Sequence, residues 1–142
     1  PEFTIGESLH NYLNHTFKFP GRITWSDVTI TMVDPGGENG VAFALTKILN
    51  ESGYSIPSQD NFQTISKSKA VSGLGQVLVE QIDQDGKVLE SWTLNNAFIA
   101  DAKFGSLDYS SDDLTEYSIT VRYDWATYNA DMSSTVTYEA TT

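Results

Sequence analysis

A chain of 142 residues with 39% hydrophobic side chains has material for one compact core and too little length for two. Nineteen acidic against eight basic residues give a net charge of −11, with the acids scattered from Glu2 to Glu139, which marks a solvated globular surface rather than a disordered acidic arm. Such a field opposes tight binding of nucleic acid, and the lack of cysteine excludes disulfides, thiolate–zinc sites and thiol nucleophiles.

No apolar run approaches the roughly 20 residues of a membrane helix, so the expectation is a soluble chain without a membrane partner. The chain opens at Pro1-Glu2-Phe3 with no initiator methionine, and Phe3-Thr4-Ile5-Gly6 already has strand character, which suggests a first element upstream of Pro1. Two strands are predicted, Tyr12 to Phe19 and Ile23 to Val33, joined as a hairpin by a turn at Pro20-Gly21. In the second, Val28, Ile30 and Met32 alternate with Thr29 and Thr31, the period of a sheet with one buried face. Asp34-Pro35-Gly36-Gly37 ends it.

Val41, Leu45, Ile48 and Leu49 then fall on one helical stripe, and Gly53 supplies a stop. This is the only helix the periodicity predicts. Residues 54–74 are rich in Ser, Gln, Asn and Lys and read as a long loop, a length that usually carries a function. A hairpin follows, Gln76 to Ile82 and Lys87 to Leu94, turning at Asp83-Gln84-Asp85-Gly86. The last strand runs from Leu114 to Trp125, with Tyr117, Ile119, Val121, Tyr123 and Trp125 on the core face and Glu116, Ser118, Thr120, Arg122 and Asp124 on the wet face. Residues 126–142 read as an arm or an extra edge strand, beyond a domain spanning 1–125.

Little in this pattern carries chemistry. His10 and His15 are five apart, so on one strand they would point to opposite faces and cannot share a metal. Asp83-Gln84-Asp85-Gly86 has glycine at the fourth position where a calcium loop needs it at the sixth, which leaves a plain turn. Asp112-Asp113 reads as a solvated loop, and Gly73-Leu74-Gly75 is too isolated to cradle phosphate. Asn14-His15-Thr16 and Asn50-Glu51-Ser52 fit the glycosylation pattern but matter only in a secreted eukaryotic chain. No nucleophile–base constellation or single carboxylate pair stands out, so no enzyme and no cofactor are expected. Trp25, Trp92 and Trp125 each fall within a strand pattern and are expected in the core, with a carbohydrate-binding β-sandwich as the alternative use of these rings.

The architectural residues are more informative. Pro1 to Gly6, Phe17-Lys18-Phe19-Pro20-Gly21-Arg22, the strand from Trp25 to Met32 and the helix after Asp34-Pro35 occur in an order that resembles the tail tube proteins of contractile-tailed phages, baseplate-proximal tube initiators included. Glu90-Ser91-Trp92-Thr93-Leu94, with Asn96-Ala97-Phe98-Ile99 as a short apolar crossover, and the closing run Tyr117 to Trp125 extend the likeness over most of residues 1–125.

That resemblance implies a mainly β fold, a β-sandwich or barrel with one flanking helix over about residues 38–52. It further implies a structural virion protein of the phage tail, assembled in the bacterial cytoplasm, whose copies form hexameric rings that stack into a tube. Sheath and baseplate proteins would be its partners, and DNA would pass through without specific binding. A lumen crossed by DNA is expected to be polar and often negative. Glu80, Glu90, Glu116, Ser118, Thr120, Arg122 and Asp124 are the candidates for lining it, and the segment carrying Tyr54, Pro57, Phe62, Lys67 and Lys69 is the candidate contact between rings.

Overall fold

The computed structural model describes residues 1–34, 40–55, 57–58, 63–105 and 115–130. Along the chain run β1 (Phe3–Tyr12), β2 (His15–Trp25), β3 (Val28–Val33), α1 (Val41–Glu51), α2 (Lys67–Leu74), β4 (Val77–Ile82), β5 (Val88–Asn95), β6 (Phe98–Phe104), β7 (Glu116–Arg122) and β8 (Trp125–Ala130). The fold is mainly β, as expected. Among the described residues one sheet has the order β3-β7-β6 and another β4-β5-β8, every pairing antiparallel, while β1 and β2 pair only with each other. None of the described helices is long and apolar enough to cross a membrane.

The two three-stranded sheets and α1 meet in one core of Leu45, Leu94, Ala97, Ile119, Val121, Tyr123 and Ala126. Alternation explains how each strand feeds it. Val28, Ile30 and Met32 lie opposite Val121, Ile119 and Tyr117, so the apolar residues of β3 and β7 share a face. In the other sheet Leu94 sits between Val77 and Ala126, and Trp92 between Val79 and Tyr128. Asp83 closes the β4–β5 turn by accepting hydrogen bonds from the amides of Asp85 and Lys87, and Gly86 takes the positive φ of 78° that a bulkier residue resists.

Three expectations need correction. The first hairpin turns at Leu13-Asn14, not Pro20-Gly21, so strand structure runs from Phe3 to Trp25 with a single reversal. Pro20-Gly21 belongs instead to a β-bulge, where Gly21 and Arg22 together oppose Gly6. A Cβ on Gly21 would stand 3.0 Å from the Gly6 carbonyl carbon, so close backbone approach, not a turn, is what glycine serves there. The second correction is α2, which occupies part of the expected loop: the Ser66 side chain caps it at the Lys69 amide, and Ala70 buries against the body. With α1 and α2 there are two described helices where one was expected.

The third concerns the closing strand, which stops at Arg122. Tyr123 and Asp124 carry the chain from one sheet to the other, and the change resets the alternation, so Ala126 is buried while Trp125 is 46% exposed. The apolar crossover at Phe98 is likewise a full strand, β6, whose bulge at Ala100 keeps Ile99 and Ala102 in register with Val121 and Ile119. Leu114 lies outside the described residues.

Core membership sets the cost of truncation. Leu94→Ala, at a residue 2% exposed, is expected to cost ~2–5 kcal/mol in urea unfolding. Ile23→Ala, on a strand outside the core and 58% exposed, should cost under about 1 kcal/mol.

Candidate functional site

Among the described residues no group of three or more His, Asp or Glu side chains is placed to hold a metal ion. The surfaces that remain as sites are the outer faces of the two sheets, the α1–α2 side and the β1–β2 hairpin.

On the β3-β7-β6 sheet the outer face gathers Glu116, Ser118, Thr120 and Arg122 as expected, with Thr29 and Thr31 on one side and Asp101 and Lys103 on the other. It is polar and carries both signs of charge. Arg122 clamps Asp27 through Nε at 3.1 Å and Nη2 at 2.9 Å, and this two-point contact lowers the Asp27 carboxyl and raises the guanidinium from their ordinary ranges. Lys103 stands 4.0 Å from Asp101.

Glu80 and Glu90 separate. Glu80 pairs with Ser91 and so shares the outer face of the β4-β5-β8 sheet with Thr93, Thr127 and Asn129. Amides and hydroxyls link across this face: Asn95 donates to Thr127 Oγ1 at 2.9 Å, and Asn129 to Thr93 Oγ1 at 3.3 Å. Glu90 lies on the opposite, inward face, where it accepts from the Tyr128 hydroxyl at 3.0 Å, a bond that pushes the phenol up. Sequence reasoning did not single out Ser91, Thr93, Thr127 and Asn129. Their alternation with Trp92, Leu94, Ala126 and Tyr128 was the available signal.

Asp124 leaves the wet face and becomes a junction. Both of its carboxylate oxygens lie 2.7 Å from Lys67 Nζ, Asn96 donates to it at 2.9 Å, and its own amide donates to the Asn95 carbonyl. Lys67 is the main cause that lowers its carboxyl. Residues expected in two separate sites are thus one ion pair, fastening the start of α2 to the β7–β8 crossing. Lys69 turns to Gln63 Oε1 at 3.0 Å, Tyr54 and Pro57 are exposed, and Phe62 lies outside the described residues, as do Asp112 and Asp113.

The histidines sit on different strands of the hairpin, each against a phenylalanine: His10 is 5.3 Å from Phe19 and His15 4.7 Å from Phe17, ring centre to ring centre. Trp25 packs on Phe3 and Tyr123, and Trp92 on Tyr128, so these two rings serve internal packing. Burial raises the Tyr123 phenol, opposed by the backbone of Glu2. Between α1, α2 and β6 lies an open apolar groove of about 490 Å³, walled by Leu49, Ile65, Ala70, Phe98 and Phe104.

No protein-family model and no curated protein matches the chain. Solved structures do match. A chain of the anti-feeding prophage cap, the AFP tube-terminating cap, aligns at a TM-score of 0.64 and 20% identity over 91% of this chain and 75% of its own. A chain of the AFP baseplate aligns at 0.63 and 12% over 92% and 77%. One from the sheath–tube complex of the PVC extracellular contractile injection system aligns at 0.63 and 18% over 91% and 76%. The fold is that of tube, cap and baseplate components of contractile injection systems, in agreement with the contractile tail-tube resemblance.

The Lys67–Asp124 pair has a definite pH signature. The folded carboxyl lies below the ordinary 3.8, so its contribution is complete above that value and vanishes as pH falls through the lowered one. The side chains are 58% and 37% exposed, which limits the pair to about 1 kcal/mol. Lys67→Met should therefore lower the urea midpoint at neutral pH, and the difference from wild type should disappear under strong acid.

Proposed function

We propose that this chain is a structural, non-enzymatic subunit of a contractile injection tube, its copies closing into hexameric rings that stack into a conduit. The observation that carries this is the fold likeness over 91% of the chain to components of an AFP cap and a PVC sheath–tube complex. Sheath and baseplate proteins are its partners and the particle is its location. The likeness to cap and baseplate chains favours a second reading, a position at one end of the tube instead of along it. Copy number per particle separates the two: several rings for a tube subunit, one for a terminal component.

The outer faces of the two sheets point away from a shared core, so only one can line the lumen. The Ser91, Thr93, Thr127 and Asn129 face is the better surface for a passing duplex, because among the described residues it offers hydroxyls, amides and the carboxylate of Glu80, beside exposed Leu78 and Trp125, without a cation. Phosphate affinity comes mainly from Lys and Arg, and the β7 face presents Arg122 and Lys103. Tyr54 and Pro57, exposed beyond α1, remain the contact to the neighbouring ring.

The purified chain should form rings or stacked tubes in negative-stain micrographs, and a monomer at every concentration would overturn the reading. In assembled tubes Ser91→Lys should create DNA retention whose log affinity falls with log salt at roughly 0.9 per phosphate neutralised. Ser118→Lys should leave retention unchanged. The reverse result would move the lumen to the β7 face.

A further inference from the structure

The β1–β2 hairpin is built as a projecting arm whose two ends have different jobs, and the bulge divides them. On β2 the apolar residues fall at odd positions, Phe17, Phe19, Ile23 and Trp25, which an unbroken strand would place on one face. The extra residue at Gly21-Arg22 reverses the alternation. Ile23 and Trp25 therefore share a face with Ile5 and Phe3, whereas Phe17 and Phe19 share the opposite one with His10, Tyr12 and His15.

The near half is anchored at home. Phe3 packs on Trp25 at 5.2 Å, Trp25 reaches Tyr123 at 6.0 Å, and the Ser26 amide donates to the Glu2 carbonyl at 2.8 Å. Among the described residues the far half packs on nothing but itself: Tyr12 is 69% exposed, Phe17 46% and Phe19 50%. An aromatic face of this size left in water marks an interaction surface.

The same chain presents the complement. The α1–α2–β6 groove is apolar, and Leu49, Ile65 and Phe104 on its walls are exposed. A cavity of roughly 150 Å³ accepts one benzene ring, so about 490 Å³ admits both Phe17 and Phe19. Net charge acts at longer range, since Lys18 lies on the arm's other face opposite Leu9. Residues 3–25 carry Lys18 and Arg22 against Glu7, a formal +1, while the rest of the chain has 6 basic and 18 acidic residues, −12. An arm of one sign and a body of the other attract between copies, although whole copies repel.

We infer that the far face of the arm docks in the α1–α2–β6 groove of a second copy of this chain. The contact is heterologous, arm to groove, so each copy donates one arm and receives another, which propagates or closes into a ring. The inference rests on the proposed self-assembly and adds the surfaces that carry it.

Three forms test it by light scattering and electron microscopy: wild type, an arm form (Phe17→Ser with Phe19→Ser) and a groove form (Leu49→Asp with Ile65→Asp). All these residues are exposed, so both double variants should keep the wild-type circular dichroism and urea midpoint. Each is expected to be monomeric alone, and their equimolar mixture should give one-to-one dimers, because one intact arm meets one intact groove. Phe17→Leu with Phe19→Leu, which keeps the tip apolar, should still assemble.

A mixture that stays monomeric, or an arm form that assembles like wild type, overturns the docking while leaving the tube reading intact. A wild type that never assembles overturns the tube reading itself. Hydroxyl-radical footprinting of wild-type assemblies decides without any variant: Phe17, Phe19, Leu49 and Phe104 should be protected, and their full reactivity would overturn the docking.

Discussion

The crossing at Tyr123-Asp124 is the constraint on which the rest of the fold depends. The chain must leave a sheet where Val121 is buried and enter another where Ala126 is buried, within four residues, without opening the core between them. It does so by burying Tyr123 and turning Asp124 outward, where the carboxylate is held by Lys67 and Asn96 and the amide by the Asn95 carbonyl. The β5–β6 turn, the β7–β8 crossing and the start of α2 are therefore tied at one point. Ala97 and Ala126, each 1% exposed, are the small residues packed there. A larger residue at either position would force the two sheets apart.

This core is thin for the length of chain that surrounds it. Among the described residues more large hydrophobic side chains are exposed than buried, and eight of the exposed ones lie on the single hairpin from Phe3 to Ile23. A monomer gains nothing from such an arrangement, since the apolar area it leaves in water contributes no stability. A subunit whose neighbours cover that area does gain. The body folds on Leu94, Val121 and Tyr123, while the hairpin is held by its own β1–β2 ladder and by Trp25 against Phe3 and Tyr123.

What could be read from the sequence follows the same division. Val28, Ile30 and Met32 were legible because a strand packed on one face shows its period directly, and Asp83 to Gly86 because turn chemistry is local. α2 was obscured by lysines and serines at half of its positions, so its only signals were the Ser66 cap and the spacing of Ala70, Val71 and Leu74. Trp125 was misplaced because alternation cannot reveal that a strand changes sheet. The β7 set Glu116, Ser118, Thr120 and Arg122 came together because it lies on one strand, whereas Glu80 and Glu90 fall on opposite faces because Glu80 alternates with Val77 and Val79 while Glu90 shares the parity of Trp92 and Leu94.

The error at Pro20-Gly21 is the most informative of these. Both residues favour turns, and the dipeptide sits between two apolar runs, so local rules place a hairpin there. The structure instead uses glycine for close approach at a bulge and proline on an edge strand, where its missing N–H costs no ladder bond. Local preference and global structure disagree at this place, and such disagreements concentrate where a function is built in. Here the departure turns Phe17 and Phe19 away from the face that holds the arm to its own body. An unbulged strand would have offered one continuous apolar face, suited to folding back on a single partner. The bulge instead splits the arm into two faces, one packed on its own body through Trp25 and one that leaves Phe17 and Phe19 in water.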